Sequence, residues 1–185
     1  MRRFFCVALV ASVAGWAAGT AQAQEMGLKG IEARVGYVEI DEADAGGTFI
    51  LSGGIDLGHF TPEMSLEFGV DYWSKSFDVG QHEWNWSNIG FLGNVRYDFI
   101  KDATFRPFVF GGVAFCYQSW DVENCESSIL SDLCDDSEVE FGVDLGLGAD
   151  FSSGGGVIPT ARAGINSNGG ADYYFFQVGV RFPFD

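Results

Sequence analysis

The sequence is poor in positive charge, in histidine and in long apolar runs. Ten lysines and arginines stand against 26 aspartates and glutamates, which gives a formal net charge of −16. Such an acidic chain does not suit a nucleic-acid partner. Beyond the N-terminal segment, no run approaches the roughly 18 apolar residues of a membrane-spanning helix. Histidine occurs twice, as His59 and His82, so any reaction that needs an imidazole base has few candidates.

The N-terminal segment has the three parts of a secretory signal. Arg2 and Arg3 precede an apolar stretch at residues 4–18, and Ala21-Gln22-Ala23 follows as a small-x-small cleavage site. An N-terminal membrane anchor is the alternative, but the apolar stretch is short for one. We therefore expect residues 1–23 to be a cleaved signal peptide and residues 24–185 to be one exported domain. Cleavage removes two arginines and no acid, so the formal charge becomes −18.

Cysteine is scarce, and its spacing excludes common metal and redox motifs. Cys6 lies in the signal segment, which leaves Cys116, Cys125 and Cys134 in the exported domain. The separation of Cys125 and Cys134 fits neither a zinc site nor a CxxC redox pair. Because export permits disulfides, we predict that this pair is bridged. Cys116 is then left over as a small buried hydrophobe.

What the exported domain does have is period-two alternation. In "VEFGVDLGLGADF" (139–151) apolar residues alternate with glycine and acid, which is typical of a strand whose two faces meet different surroundings. Helical periodicity of useful length is missing. The fifth alternating segment is apolar on both faces, so its inward or outward register stays open. Eight such segments occur, at 30–40, 48–58, 65–73, 86–99, 105–118, 139–151, 158–166 and 173–184.

The connections between these segments alternate in length. Longer ones at 41–47, 74–85, 119–138 and 167–172 alternate with short turns. Consecutive strands joined in this way form an antiparallel meander with loops at one end and turns at the other. The sequence therefore predicts an all-β fold, an eight-stranded up-and-down antiparallel β-barrel.

Two kinds of barrel fit the alternation, a soluble one with an apolar interior and a membrane one with an apolar exterior. The polar face mixes glycines with single charges of both signs, which suits a narrow lumen crossed by ion pairs. We therefore predict a transmembrane barrel with a structural ion network in its lumen. The predicted members are Glu32, Arg34, Glu67, Asp71, Arg96, Asp98, Glu140, Asp144, Arg162 and Arg181.

Aromatic residues near the strand ends support the same choice, because membrane barrels carry aromatic girdles at both interfaces. The set is Tyr37, Tyr72, Trp73, Trp84, Trp86, Tyr97, Phe99, Trp120, Tyr173, Phe182 and Phe184.

The last strand carries the most specific motif. In "QVGVRFPF" a polar residue, Gln177, precedes Gly179 and the aromatic pair Phe182 and Phe184. This resembles the C-terminal assembly signal of the small Gram-negative outer-membrane barrels of the OmpA, OmpX and OmpW kind, although that family usually ends on the aromatic itself and here Asp185 follows. The resemblance implies an outer-membrane location, insertion by the barrel-assembly machinery, contact with membrane lipid and lipopolysaccharide, and a monomer.

Catalysis has little support in the sequence. "GINSNGG" is similar to the His-x-Ser-Asn motif of outer-membrane lipid A deacylases, but Ile165 stands where the histidine should be, and we read the segment as a turn. The acidic stretch 121–138 lacks the spacing of a calcium loop, so we interpret it as a solvated surface loop rather than a divalent-cation site. No enzyme activity, cofactor or metal is expected.

The favoured function is a structural or surface-interaction role with a plugged lumen. A narrow channel or carrier for small or apolar solutes is the alternative, with the fifth segment (Phe108, Phe110 and Val113) as its one possible apolar trough. A soluble lipocalin-like periplasmic binder is the second alternative.

Overall fold

A computed structural model describes residues 26–41, 46–79, 82–100, 103–122, 135–152 and 156–184. Each of its eight strands pairs antiparallel with the next, and β1 pairs with β8 to close the barrel, which confirms the predicted fold. The strands are β1 (Met26–Ile40), β2 (Gly46–His59), β3 (Met64–Val79), β4 (His82–Asp98), β5 (Phe105–Val122), β6 (Asp135–Phe151), β7 (Ile158–Ser167) and β8 (Tyr173–Pro183).

The barrel has two distinct ends. The first and last strands begin and finish at one end, which also holds the turns after β2, β4 and β6, and we call it the terminal end. The opposite end holds the connections after β1, β3, β5 and β7, and we call it the loop end. The signal segment, together with Cys125 and Cys134, lies outside the described residues.

The apolar face of each strand points away from the barrel axis. Phe141, Leu145 and Phe176 are 57%, 41% and 56% exposed, whereas Glu32 and Arg34 are each 8% exposed. An exterior of bare apolar side chains around a charged interior matches a barrel in a membrane and excludes the soluble, lipocalin-like arrangement. The predicted orientation of the two faces is therefore confirmed.

The structure assigns the register of the fifth segment. Phe108, Phe110 and Cys116 are buried in the lumen, while Val109 and Phe115 are exposed on the outside. The rings fit inward because β6 offers glycines opposite them, with Phe110 paired to Gly146 and Phe108 to Gly148 in the register of the two strands.

Two connections at the loop end are shorter than the sequence predicts. The segment 74–85 was expected to be a loop, yet β3 and β4 stay paired as far as Val79 and His82. The loop 119–138 is likewise shortened, because β5 and β6 pair up to Asp121 and Asp135. In the extension of β3 and β4 the apolar phase changes sides, because Phe77 packs against buried residues of the lumen while Ser76 is exposed. The hydrogen-bonded ladder therefore continues where the outward apolar pattern has ended.

Within the described part of the chain, no helix is long and apolar enough to cross a membrane.

Candidate functional site

Four side chains from four strands form the centre of the ion cluster in the lumen. Arg162 on β7 donates from Nη2 to Glu32 Oε2 at 3.0 Å and to Glu67 Oε2 at 2.8 Å. Arg181 on β8 donates from Nη2 to Glu67 Oε1 at 2.6 Å and to Glu32 Oε2 at 3.4 Å. Both arginines thus bridge the same pair of glutamates, which come from β1 and β3, and the cluster links the neighbouring first and last strands to β3 and β7.

Arg34 extends the cluster toward the loop end. Its Nη1 lies 3.1 Å from Glu32 Oε1, and its Nη2 lies 3.8 Å from Asp71 Oδ1. Its Nε donates to Gln177 Oε1 at 2.9 Å, and the Gln177 amide in turn donates to Ser52 Oγ at 2.7 Å. Gln177 therefore serves the lumen as a neutral hydrogen-bonding link, a contact that its place in the C-terminal motif does not indicate.

Arg96 extends the cluster toward the terminal end. Its guanidinium donates to Asp98 Oδ1 at 2.6 Å and to Asp150 Oδ2 at 2.7 Å, and its Nη1 lies 3.5 Å from Glu67 Oε1. The guanidinium carbon also lies 3.7 Å from the centroid of the Phe108 ring, a cation–π contact inside the barrel.

Two carboxylates of the cluster were missing from the predicted network. Asp150 lies close to Arg96 and within 3.7 Å of Arg181, and Asp56 lies 3.6 Å from Arg181. The signal was present in the sequence, because both acids occupy the polar phase of alternating strands.

Two predicted members, Asp144 and Glu140, lie apart from the cluster. Asp144 is buried but accepts a hydrogen bond from the neutral Asn94 amide at 2.8 Å. Glu140 is half-buried beside Gly169 in the connection to β8. Neither makes an ion pair with an arginine among the described residues, because both positions on β6 lie further toward the loop end than Asp150. The other eight predicted members lie together: Glu32, Arg34, Glu67, Asp71, Arg96, Asp98, Arg162 and Arg181.

Aromatic side chains fill the loop end of the lumen. Trp73 packs edge-to-face on Trp86 and on Tyr173, with ring centroids 5.3 Å and 5.9 Å apart. Trp86 stacks on Trp120 at 5.9 Å. The aromatic layer also contains Val38, Ile40, Ile50, Phe110, Ala171 and Phe175.

This layer corrects the predicted girdle. Trp73, Trp86 and Tyr173 were expected at the lipid interface, but they are 0%, 5% and 1% exposed and face the axis. Near the loop end β1, β2, β3, β4 and β8 present apolar side chains to the axis, so aromatic residues near strand ends occur on both faces. Tyr37 and Phe99 do face outward, at 47% and 57% exposure.

Asn168 holds the connection between β7 and β8 over the lumen through hydrogen bonds. Its Oδ1 accepts from the backbone N–H groups of Gly170 and Ala171 at 3.0 Å and 2.7 Å, which forms the turn expected of "GINSNGG". The same oxygen accepts from Gln118 Nε2 at 3.0 Å, and Asn168 Nδ2 lies 3.6 Å from the buried Cys116 sulfur. The turn residue is thus also a lumen residue.

A small gap lies beside the charges. A gap of about 10 Å³ lies between the ion cluster and the wall formed by Gly54, Gly69 and Leu92. That is the room one water molecule occupies. Among the described residues, no group of three or more histidine, cysteine, aspartate or glutamate side chains is arranged to hold a metal ion.

The comparison with protein families gives the decisive match. Residues 5–184 match the family model described as the outer membrane protein beta-barrel domain. The chain belongs to this outer-membrane β-barrel family. A bacterial outer-membrane location follows from that membership. The comparison with curated protein sequences finds no significant match.

Solved structures share the fold of this outer-membrane barrel at low sequence identity. Neisserial surface protein A is 18% identical with a TM-score of 0.53, over 84% of this chain and 96% of that one. Ail of Yersinia pestis, solved with the heparin analogue sucrose octasulfate, is 12% identical with a TM-score of 0.56, over 85% and 100%. A major outer membrane protein of Thermus thermophilus is 12% identical with a TM-score of 0.57, over 84% and 98%. At these identities the likeness concerns the fold alone.

Proposed function

We propose that this protein is a closed, non-enzymatic barrel that reinforces the outer membrane and makes its contacts through the loop end. The observation that carries the proposal is the double closure of the lumen. The ion cluster fills it near the terminal end, and the aromatic layer around Trp73, Trp86 and Tyr173 fills it near the loop end. A barrel of eight strands encloses little more than its own side chains.

The same filling weighs against the narrow-channel alternative. A side route for apolar solutes would need an apolar trough, and Phe108, Phe110 and Val113 were the predicted lining of that trough. Phe108 and Phe110 do point inward, but they are 1% and 5% exposed and pack against arginine and aromatic neighbours. Val113 faces outward, level with Gly93 of β4.

Positions of the candidate catalytic groups support a non-enzymatic role. Ser167, the last residue of β7, is exposed, while Ile165 occupies the histidine place of the deacylase-like motif. His59 ends β2 at the terminal end, with Nε2 3.8 Å from Asp98 Oδ2, and His82 begins β4 at the loop end. His59 thus lies at the opposite end of the barrel from Ser167, and the two histidines cannot share one site.

Proposed partners follow from the surface. The exposed apolar band suits membrane lipid, and the loop end suits the lipopolysaccharide leaflet. Phe182 and Phe184 are exposed at the end of β8, where an assembly factor can read them, while Gln177 and Gly179 face inward. The stretch 121–138 carries seven acids and no base. A polyanion such as the heparin analogue bound by Ail therefore does not suit this loop end, and cationic partners do.

Bilayer recording and fractionation test the proposal. Refolded protein in planar bilayers should give no discrete current steps, and the protein should leave cells only in detergent extracts with heat-dependent mobility on denaturing gels. Regular current steps would establish the channel alternative in its place. Recovery as a soluble monomer after osmotic shock would overturn the membrane assignment itself.

A further inference from the structure

The fully buried charges of the lumen do not balance. Without the partly exposed Asp56, four buried arginines face six buried carboxylates. Four of those carboxylates have an arginine nitrogen at 2.6–3.0 Å: Glu32, Glu67, Asp98 and Asp150. The other two are Asp71, which lies 3.8 Å from Arg34 Nη2, and Asp144, which accepts from the neutral Asn94 amide. Two buried acids thus have no close cation among the described residues, and such charges are costly inside a membrane.

These two acids both lie beside the aromatic layer. Asp71 is two residues before Trp73 on the inward face of β3. Asp144 on β6 pairs with Asn166 on β7, which pairs in turn with Tyr173 on β8. Both acids act electrostatically on the Tyr173 hydroxyl, and Asp71 also acts on Asp144. The two carboxylates therefore lie within electrostatic range of each other.

Buried oxygen atoms without hydrogen-bond partners lie near both acids. Asn88 is 0% exposed, and neither its Oδ1 nor its Nδ2 has a partner among the described residues. Asp71 Oδ1, Asn94 Oδ1 and the Tyr173 hydroxyl share this condition. Gly90 leaves room beside the first pair, because a Cβ there would lie 3.7 Å from Asn88 Nδ2 and 3.8 Å from Asp71 Cβ. Buried polar atoms of this kind need a partner, and a ligand can supply it.

We propose that Asp71 and Asp144 hold one calcium ion in the lumen, with the side-chain oxygens of Asn88 and Asn94 as neutral ligands. Calcium accepts carboxylate and amide oxygens in flexible arrangements, and the two carboxylates balance its double charge. Magnesium requires a stricter octahedral geometry and gives up its water reluctantly, so it suits these side chains less well.

The proposed set differs from the acidic clusters typical of metal sites. It combines two acids with neutral amides, whereas groups of three or more acidic, cysteine or histidine ligands do not occur in the described part of the chain. The inference goes beyond the proposed function and departs from the expectation that the barrel binds no metal. It does not depend on whether the lumen conducts.

Urea unfolding of the full barrel in phosphatidylcholine vesicles tests the proposal, with calcium chloride or a chelator present throughout. The wild-type midpoint should be higher in calcium, because an ion that binds only the folded barrel stabilises it. Asp144→Asn removes one charge at nearly constant shape, and Asn88→Leu removes a neutral ligand while keeping both acids. Both variants should lose the calcium-dependent shift. Native mass spectrometry of the wild type should show one calcium ion per barrel.

The matched control is Asp136→Asn, which removes an acid of the stretch 121–138 and should keep the wild-type shift. Heat-dependent gel mobility establishes that each variant is folded. Equal calcium shifts in wild type, Asp144→Asn and Asn88→Leu would overturn the proposal. Loss of the shift in Asp136→Asn alone would also overturn it, because the ion would then belong to the acidic stretch. A wild type without any shift would overturn it as well, with protons neutralising the two carboxyls instead.

Discussion

At the scale of single residues, the lumen is held by arginines that each serve more than one carboxylate. Arg162 and Arg181 both bridge Glu32 and Glu67, and Arg96 joins Asp98 to Asp150. Four arginines face six carboxylates in the cluster: Arg34, Arg96, Arg162, Arg181, Glu32, Asp56, Glu67, Asp71, Asp98 and Asp150. Loss of one arginine therefore leaves buried charge without compensation.

Removing Arg96 should destabilise the barrel strongly. In Arg96→Ala, Asp150, which is 1% exposed, loses its closest cation, and the Phe108 ring loses its cation–π partner. We expect the free energy of unfolding to fall by about 3–5 kcal/mol, as for other broken buried ion pairs. Arg181→Ala should act in the same direction. The measurement is the midpoint of urea unfolding in phospholipid vesicles.

The matched control for that experiment is Arg106→Ala. Arg106 lies 3.8 Å from the same Asp150 oxygen, but its side chain is 26% exposed, so its removal should change the midpoint little. Equal midpoints for Arg96→Ala and Arg106→Ala would show that the cluster does not stabilise the fold.

From the sequence one could predict which face of a strand each of these residues occupies, but not which partners it contacts. Period two places Glu32, Arg96 and Arg162 inside, and the structure brings them together. It does not give the stagger between strands, which decides which inward charges share a level. That is why Asp144, on the inward face of β6, meets the Asn94 amide instead of an arginine.

At the scale of strands, the inward phenylalanine rings of β5 pack over the inward glycines of β6. A Cβ at Gly146 would overlap the Phe110 ring and the Ala163 carbonyl, and a Cβ at Gly148 would overlap Phe108 and the Ala161 carbonyl. The inner face of β6 therefore carries no side chains at the two positions where β5 places phenylalanine rings. Side chains of both strands could not occupy the axis at this level, and the glycines resolve the conflict.

A methyl group on this inner face of β6 should be costly. Gly146→Ala places a Cβ against both a ring and a carbonyl of the next strand, and we expect a loss of about 1–3 kcal/mol in the free energy of unfolding. Gly53→Ala adds the same group on the open outer face and should leave stability nearly unchanged. Urea unfolding of both variants, side by side, makes the comparison. A similar loss in both would point to the general effect of replacing glycine in a strand instead.

The fifth segment shows where strand-level prediction stops. Its residues are apolar in both phases, so neither hydrophobicity nor alternation distinguishes Phe108 from Val109. The choice is made by the partner strand, because glycine on β6 faces the same side as Phe108 and Phe110. Register in an apolar strand is a property of the pair and cannot be obtained from one segment.

At the scale of the whole molecule, the lumen is closed twice by different chemistry. Charges fill the part nearer the terminal end, and aromatic rings fill the part nearer the loop end. The arginines also meet the rings where the layers join, since Arg162 lies 5.3 Å from the Phe110 centroid. Removal of one layer leaves the other in place.

Truncating the aromatic layer should therefore not open the barrel. We expect Trp73→Ala combined with Trp86→Ala to lower stability, because two buried indoles are lost. Planar-bilayer recordings of the folded double variant should remain free of discrete current steps, since the ion cluster is untouched. Steps in the double variant alone would show that the rings, and not the charges, block passage.

The whole fold was predictable because eight segments repeat one signal. The strand number, their antiparallel order and the outward apolar face all follow from alternation and connection length, and the structure confirms them. The aromatic layer was not predictable, because Trp73 and Trp86 near strand ends satisfy a girdle equally well. The disulfide between Cys125 and Cys134 and the signal peptide stay predictions.

The way the arginine and carboxylate groups are distributed along the chain limits how the protein can be inserted. The earliest strand supplies Glu32 and the last supplies Arg181, with Arg162 and Glu67 contributed from between them. A partly assembled barrel that entered the membrane core would place unpaired charged side chains in hydrocarbon, which is energetically costly. We therefore expect β1 and β8 to pair before the barrel is exposed to hydrocarbon.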